Sequence, residues 1–227
     1  SRRVTAERAA DAVTVNRVLE ELVRALSDRG MAEPMTEARE IELGPISDRV
    51  GGLDLVLVGA NDPEAMNRHT DECRFRGIPF VADPSQQLAW LDGDGIKQLV
   101  DGAAYLFSNE YESHLIESKT GWSSADILER VGSQVITLGK DGVRIVSKDA
   151  PTVEVHAAKD VHAVEPTGVG DAFRAGFLAA VDWGLSHERA ADVLLGHAPT
   201  TPGEVAEIVR AAGHTVELNG SNLDVIT

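Results

Sequence analysis

The chain's 227 residues suffice for one full core with a small appendage, and a formal charge of −16 argues against nucleic-acid or membrane partners, which reward clustered Lys and Arg. The single cysteine, Cys73, excludes an intramolecular disulfide, and no Cys/His spacing resembles a zinc site. With no apolar window near the length of a spanning helix and no signal-type run after SRRVTAER, the expectation is a soluble, cytoplasmic protein.

From the N-terminus, Val4 to Arg29 places Ala9, Val13, Val18, Leu22 and Leu26 at helical spacing and stops at Gly30, which predicts an amphipathic helix. Its apolar stripe needs a partner, either the neighbouring sheet or another subunit, and the second alternative is a homo-oligomer formed through this helix. Met31 to Gly52 reads as a connection with a short helix near Ile46 to Val50. Beyond it, strand patterns at 53–60, 78–83, 104–109 and 133–139 alternate with helical patterns at 63–76, 86–91, 96–100, 110–117 and 123–131. Such alternation predicts βαβ units and an α/β fold whose mainly parallel sheet is covered on both faces. GVRIVS (142–147) and PTVEVH (151–156) alternate apolar with polar and suit two antiparallel strands joined around Lys148 to Ala150. Farther on, Ser186 to Gly196 and Gly203 to Ala212 read as helical, 214–218 as a short strand, and NGSNLDVIT as a loose end.

Polar residues fall just past the carboxyl end of each strand: Asn61 and Asp62, then Asp83, Ser85 and Gln86, then Asn109 and Glu112, then Gly139 and Asp141. Open α/β sheets bind ligands at that edge. The competing reading is that the Asn, Asp and Ser residues cap the helices that follow.

The stretch VEPTGVGDAFRAGFL (164–178) carries the strongest chemical signal. Gly168 and Gly170 let backbone N–H groups approach a ligand, and the helical pattern that follows sets those donors where the helix dipole is positive. The turn suits a phosphate or a developing anion, and Asp171 within it suits taking a proton. A Walker A loop is excluded because Gly139-Lys140 is followed by Asp141, and a dinucleotide fingerprint because Phe173 stands where its third glycine belongs.

This stretch resembles the C-terminal signature of the ribokinase-like (PfkB) family of sugar and nucleoside kinases, whose usual form is Asp-Thr-x-Gly-Ala-Gly-Asp before a small, aromatic-bearing helix. Its Pro-Thr-Gly-Val-Gly-Asp-Ala-Phe-Arg-Ala-Gly-Phe version resembles bacterial adenosine kinases within that family. The resemblance runs from about Met35 to Ser186. It implies a ribokinase-like three-layer α/β/α fold and phosphoryl transfer from ATP, with Mg²⁺, to a hydroxyl of a nucleoside or sugar, adenosine foremost. It implies Asp171 as the base and the amides of Gly168, Val169 and Gly170 as the anion hole. Asn109-Glu110-Tyr111-Glu112 matches the family's Asn-x-x-Glu motif, which implies Asn109 at the nucleotide and Glu112 at the metal. Thr137 to Gly142 resembles the Thr-x-Gly-x-x-Gly segment, which places Thr137, Gly139 and Gly142 along the nucleotide. Asp83-Pro84-Ser85-Gln86-Gln87 resembles an adenosine-kinase stretch near the acceptor, which implies Gln86 and Gln87 as acceptor-binding residues.

The family's opening strand with an acceptor-binding Asp, its Gly-Gly turn and its β-stranded lid have no counterpart before Met35, so the lid and N-terminal part of the fold are expected to be missing. Glu165 stands where the first signature Asp usually lies. The expected organisation is an atypical N-terminal helix and connection (1–33), a ribokinase-like core (34–186), and atypical C-terminal helices and tail (187–227). Two classes of function stay open. One is an ATP-dependent kinase for adenosine or another small alcohol; the other is a non-catalytic nucleotide-binding or interaction module that keeps the kinase fold.

Overall fold

The alternation of strands and helices is realised in the computed structural model, which describes residues 4–5, 41–157, 169–195, 210, 215–219 and 222–226. The chain groups into two units, one of Leu26–Gly139 with Val143–Val153, the other of Ser1–Ala25, Lys140–Gly142 and Glu154–Thr227.

The first unit holds α1 (Leu43–Val50), β2 (Val56–Val58), α2 (Pro63–Arg76), β3 (Phe80–Ala82), a 3-10 turn (Ser85–Ala89), α3 (Gly93–Val100), β4 (Tyr105–Asn109), α4 (Glu110–Thr120), α5 (Ser124–Leu128), β5 (Ser133–Thr137), β6 (Val143–Ser147) and most of β7 (Ala150–Val155). The strands form one sheet in sequence order, β2 to β7. Its pairs from β2 to β5 are parallel, and β6 runs antiparallel to β5. The turn between β6 and β7, Lys148–Asp149, is two residues long, which only an antiparallel hairpin allows.

Burial follows the pleat. Phe80, Ala82 and Leu106 join Met66, Ile96 and Leu99 of the helices in one apolar cluster, whereas Val81, Phe107 and Val135, one position off, are buried outside it. Both sheet faces are therefore covered, as a parallel sheet requires. β2 is an edge strand among the described residues and is shorter than the expected 53–60, because it has a ladder on one side only. Local chemistry sets the helix ends. Asp62 caps α2 by accepting from the Ala65 amide at 3.0 Å, Pro63 fits the first turn, and Gly77 closes the helix with φ of 67°.

The second unit contains β1 (Val4–Thr5), α6 (Val169–Asp182), α7 (His187–Leu194), β8 (Thr215–Asn219) and β9 (Asn222–Ile226). β9 lies between β1 and β8 and is antiparallel to both. Two expectations are corrected here. Residues 222–226, read as part of a loose end, form a strand, because Leu-Asp-Val-Ile is an alternating, β-prone run that pairs back on β8 across the two-residue Gly220-Ser221 connection. Val4–Thr5, expected to open a helix, is a strand paired with Val225 and Asp224. Two β-branched residues favour that conformation. The rest of the expected N-terminal helix and the 203–212 helix, Arg210 apart, lie outside the described residues. Among the described residues, no helix is long and apolar enough to cross a membrane.

One half-buried carboxylate ties α1 to α2. Glu72 accepts from the amides of Leu43 and Gly44, each at 2.8 Å, and from the Arg76 guanidinium at 2.8 Å. Burial pushes its carboxyl up, but the two amides and Arg76 outweigh that and hold it below the usual range. With the folded value lowered, its contribution is fully present above the unfolded value near about 4.3 and is lost as pH falls through the folded one. Urea midpoints followed downward from about pH 6 are expected to fall more steeply for the parent than for Glu72→Gln, which lacks this titration. Parallel curves would remove Glu72 from the linkage.

Candidate active site

Asn109 and Thr137 are register partners, so they stand side by side where the parallel strands β4 and β5 end. Asn109 is also the first cap of α4. Its Oδ1 accepts the Glu112 amide at 2.8 Å, while Glu112 Oε2 accepts the Asn109 amide at 2.8 Å. This reciprocal cap satisfies donors that a helix start leaves without partners. The capping and ligand-binding readings thus fall on the same residues. The cap uses one carboxylate oxygen of Glu112 and leaves Oε1 outside it.

Among the described residues, no three His, Cys, Asp or Glu side chains gather to hold a metal on their own. A single carboxylate at a strand end fits Mg²⁺ of the kind that keeps several waters and is shared with substrate phosphates.

The two glycines past β5 differ. Gly139 has φ of 59° and nothing within 4 Å of an added Cβ, so a side chain there would enter open space. Gly142 has φ of 109°, and a Cβ there would lie 2.0 Å from the Val155 carbonyl oxygen and 2.8 Å from His156 Cα. Its lack of a side chain lets the chain pack against the end of β7. The adjacent Asp141 carbonyl contacts His156 Nδ1 at 3.2 Å.

Past β3 the backbone is unusual. Ser85 has φ of 43°, the left-handed region that costs a non-glycine residue about 1–2 kcal/mol, and its hydroxyl donates to Asp83 Oδ1 at 3.2 Å. Gln86 is exposed. Gln87 is only 6% exposed.

In the second unit, Val169, Gly170 and Asp171 form the first turn of α6; Gly168 lies outside the described residues. Amides of a first turn lack intrahelical acceptors and sit at the positive end of the dipole. Gly170 is helical, and an added Cβ would sit 3.2 Å from Arg174 Nη1. The guanidinium therefore lies over the turn, where Nη2 pairs with Asp171 Oδ1. The Asp171 side chain is 60% exposed and that of Arg174 17%. Asn109, Glu112 and Thr137 are thus brought together at one sheet edge, with Gly139 just beyond, and Gln86 follows the neighbouring strand. Arg174, absent from the sequence-based site, was legible as the i+3 neighbour of Asp171. Ser85 was read among the polar residues at this edge, but no local pattern announces its left-handed backbone.

A mainly parallel sheet with its polar residues collected at the carboxyl edge defines an α/β protein of the open-sheet class, whose members bind ligands at that edge. Residues 46–197, well over half of the chain, match the pfkB family of carbohydrate kinases, and the chain belongs to that family, with a ribokinase-like α/β fold. It is similar to the nucleoside kinase of Methanocaldococcus jannaschii, 29% identical over 136 residues that cover 60% of this chain and 44% of that protein. The nucleoside kinase of Burkholderia thailandensis in complex with inosine covers 70% of this chain and 57% of its own, with 32% identity and a TM-score of 0.62. The structure of that kinase in complex with ADP-inosine matches with 32% identity and a TM-score of 0.61, covering 70% of this chain and 53% of its own. The chain thus spans roughly half the length of these relatives.

The contrast between the two glycines is testable by urea denaturation. Gly142→Ala is expected to destabilise by roughly 2–4 kcal/mol, since strain and a backbone clash add, and Gly139→Ala by about 1 kcal/mol, from strain alone. Equal losses would show that the close approach to Val155 is not what fixes Gly142.

Proposed function

We propose that the chain carries the nucleotide side and part of the acceptor side of an ATP-dependent nucleoside kinase, with a purine nucleoside as the acceptor. The observation that carries this reading is the pairing of Asn109 with Thr137 at the carboxyl ends of β4 and β5, with the Glu112 carboxylate capped against the first and Gly139 open beyond the second. Family membership supports it, as do the nucleoside kinases the chain resembles. Adenosine is favoured by the Asp83–Gln87 stretch and inosine by the Burkholderia relative. ATP use and one reduced cysteine favour a cytoplasmic setting.

In this reading Asp171 accepts the proton of the acceptor hydroxyl as its oxygen attacks the γ-phosphorus and the bond to the ADP oxygen breaks. The amides of Gly168, Val169 and Gly170 donate to the phosphoryl oxygens as charge spreads over them. Asn109, Thr137, Gly139 and Gly142 line the nucleotide, and Gln86 and Gln87 meet the acceptor. Mg²⁺, held through Glu112, neutralises phosphate charge. A non-catalytic, nucleotide-binding reading is favoured by one observation, that the Asp171 carboxylate is already engaged by Arg174.

The deciding experiments are turnover and thermal shift. Asp171→Asn is expected to lower phosphoryl transfer to adenosine or inosine roughly 10²- to 10⁴-fold with ATP affinity nearly unchanged. A parent that binds ATP and transfers nothing favours the non-catalytic reading, and full activity in the variant removes Asp171 as the base. Glu112→Gln keeps a capping box, since Gln serves at that position as Glu does, but loses the charge. It is expected to abolish most of the Mg²⁺-dependent part of the ATP-induced rise in Tm, where ligand at 100 times its Kd stabilises by about 2.7 kcal/mol. A metal-dependent shift equal to the parent's would take Glu112 out of the site.

A further inference from the structure

The turn that carries Gln86 and Gln87 is held from outside by one side chain. Lys119, the penultimate residue of α4, donates from Nζ to the carbonyl oxygens of Leu88 at 2.6 Å, Ala89 at 3.2 Å and Leu91 at 2.8 Å. An ammonium has three N–H groups, and here all three are used on backbone. The receiving carbonyls belong to the end of the 3-10 turn and the residues just past it, where helical partners run out and a cation is favoured. The α4 backbone closes on the same segment, since a Cβ on Gly93 would meet the Lys119 carbonyl oxygen at 2.2 Å.

This clamp acts on the segment with the strained Ser85 and the largely buried Gln87. Strain of that kind persists only where surrounding structure over-determines it, and it concentrates at ligand sites. α4 also begins at the Asn109–Glu112 cap, so one rigid helix carries the nucleotide motif at its start and the clamp on the neighbouring turn at its end.

We propose that Lys119 is the positioning residue of the acceptor site, and that its three bonds hold residues 85–91 in the form that presents Gln86 and the Gln87 amide to the nucleoside. The proposal rests on the reading that this turn meets the acceptor. Lys119 itself touches no substrate.

Lys119→Met keeps the stem and deletes the donors; Lys119→Arg keeps the charge, but its planar fork cannot reach three carbonyls arranged for an ammonium. Three quantities are to be measured on the full chain: amide exchange of Gln87, Trp90 and Leu91, which donate within the turn at 3.0 Å, the Kd of inosine and of adenosine, and the Kd of ATP with Mg²⁺. The Met variant is expected to exchange those amides faster and to bind nucleoside about tenfold more weakly, with ATP affinity within about twofold of the parent and partial recovery in the Arg variant. Unchanged exchange or unchanged nucleoside affinity in the Met variant overturns the proposal and leaves the functional reading standing. Equal loss of nucleoside and ATP affinity reduces Lys119 to general support of the fold and also overturns it. A parent that binds ATP but neither nucleoside overturns the acceptor reading, and the proposal falls with it.

Discussion

Parallel pairing sends the carboxyl ends of β2 to β5 to one edge of the sheet, and every residue assigned to the first unit's part of the site depends on that. The register is held by burial. Leu106 faces the helical cluster with Phe80 and Ala82, and Phe107 is buried on the opposite face, so a one-residue slip of β4 would exchange them. The same slip would take Asn109 out of register with Thr137. Core packing and site geometry are therefore one constraint: the apolar alternation along β4 fixes where its last residue stops.

At that stopping point a few atoms serve both structure and chemistry. The Asn109–Glu112 cap stabilises the start of α4 by about 1 kcal/mol, and the same carboxylate is the one proposed for Mg²⁺. The two uses are compatible because the cap takes only Oε2, and because Mg²⁺ that keeps most of its waters needs little from the protein. The cap also fixes the rotamer of Glu112 before any ion arrives, which lowers the ordering cost of binding. Gly142 is a contrasting case, since the close approach of the Val155 carbonyl by itself requires a glycine there.

Much of the fold was legible because its signals are local. Residues 63–76 form the expected helix, since Asp62, Pro63 and Gly77 mark both ends, and the β6–β7 hairpin follows from alternation on either side of a two-residue turn. The Asn-x-x-Glu and Gly-Val-Gly-Asp strings fixed the family from short motifs. What escaped is non-local. β9 is short and has Asp224 in its middle, so it reads as a tail until β8 and β1 supply its ladders. Val4–Thr5 sits inside a helical pattern and is claimed by pairing with Val225 and Asp224. Ser85's positive φ and the reach of Lys119 across about 30 residues have no sequence signature, because each is imposed by a neighbour in space.

The Asp171–Arg174 pair looks at first like an obstacle to catalysis, and magnitudes decide the matter. With Asp171 60% exposed, an ion pair one helical turn apart is worth under about 1 kcal/mol, screened by solvent and salt. A positioned base that speeds a reaction 10²- to 10⁴-fold supplies about 3–5 kcal/mol in the transition state. Releasing the carboxylate from Arg174 therefore takes a small part of what its proposed task returns. The guanidinium lies over the first turn of α6, where Gly170 leaves it room. An arrangement in which the pairing is weak and the cation is held close is thus consistent with a base that is oriented in the resting protein and exchanged to its substrate at little cost.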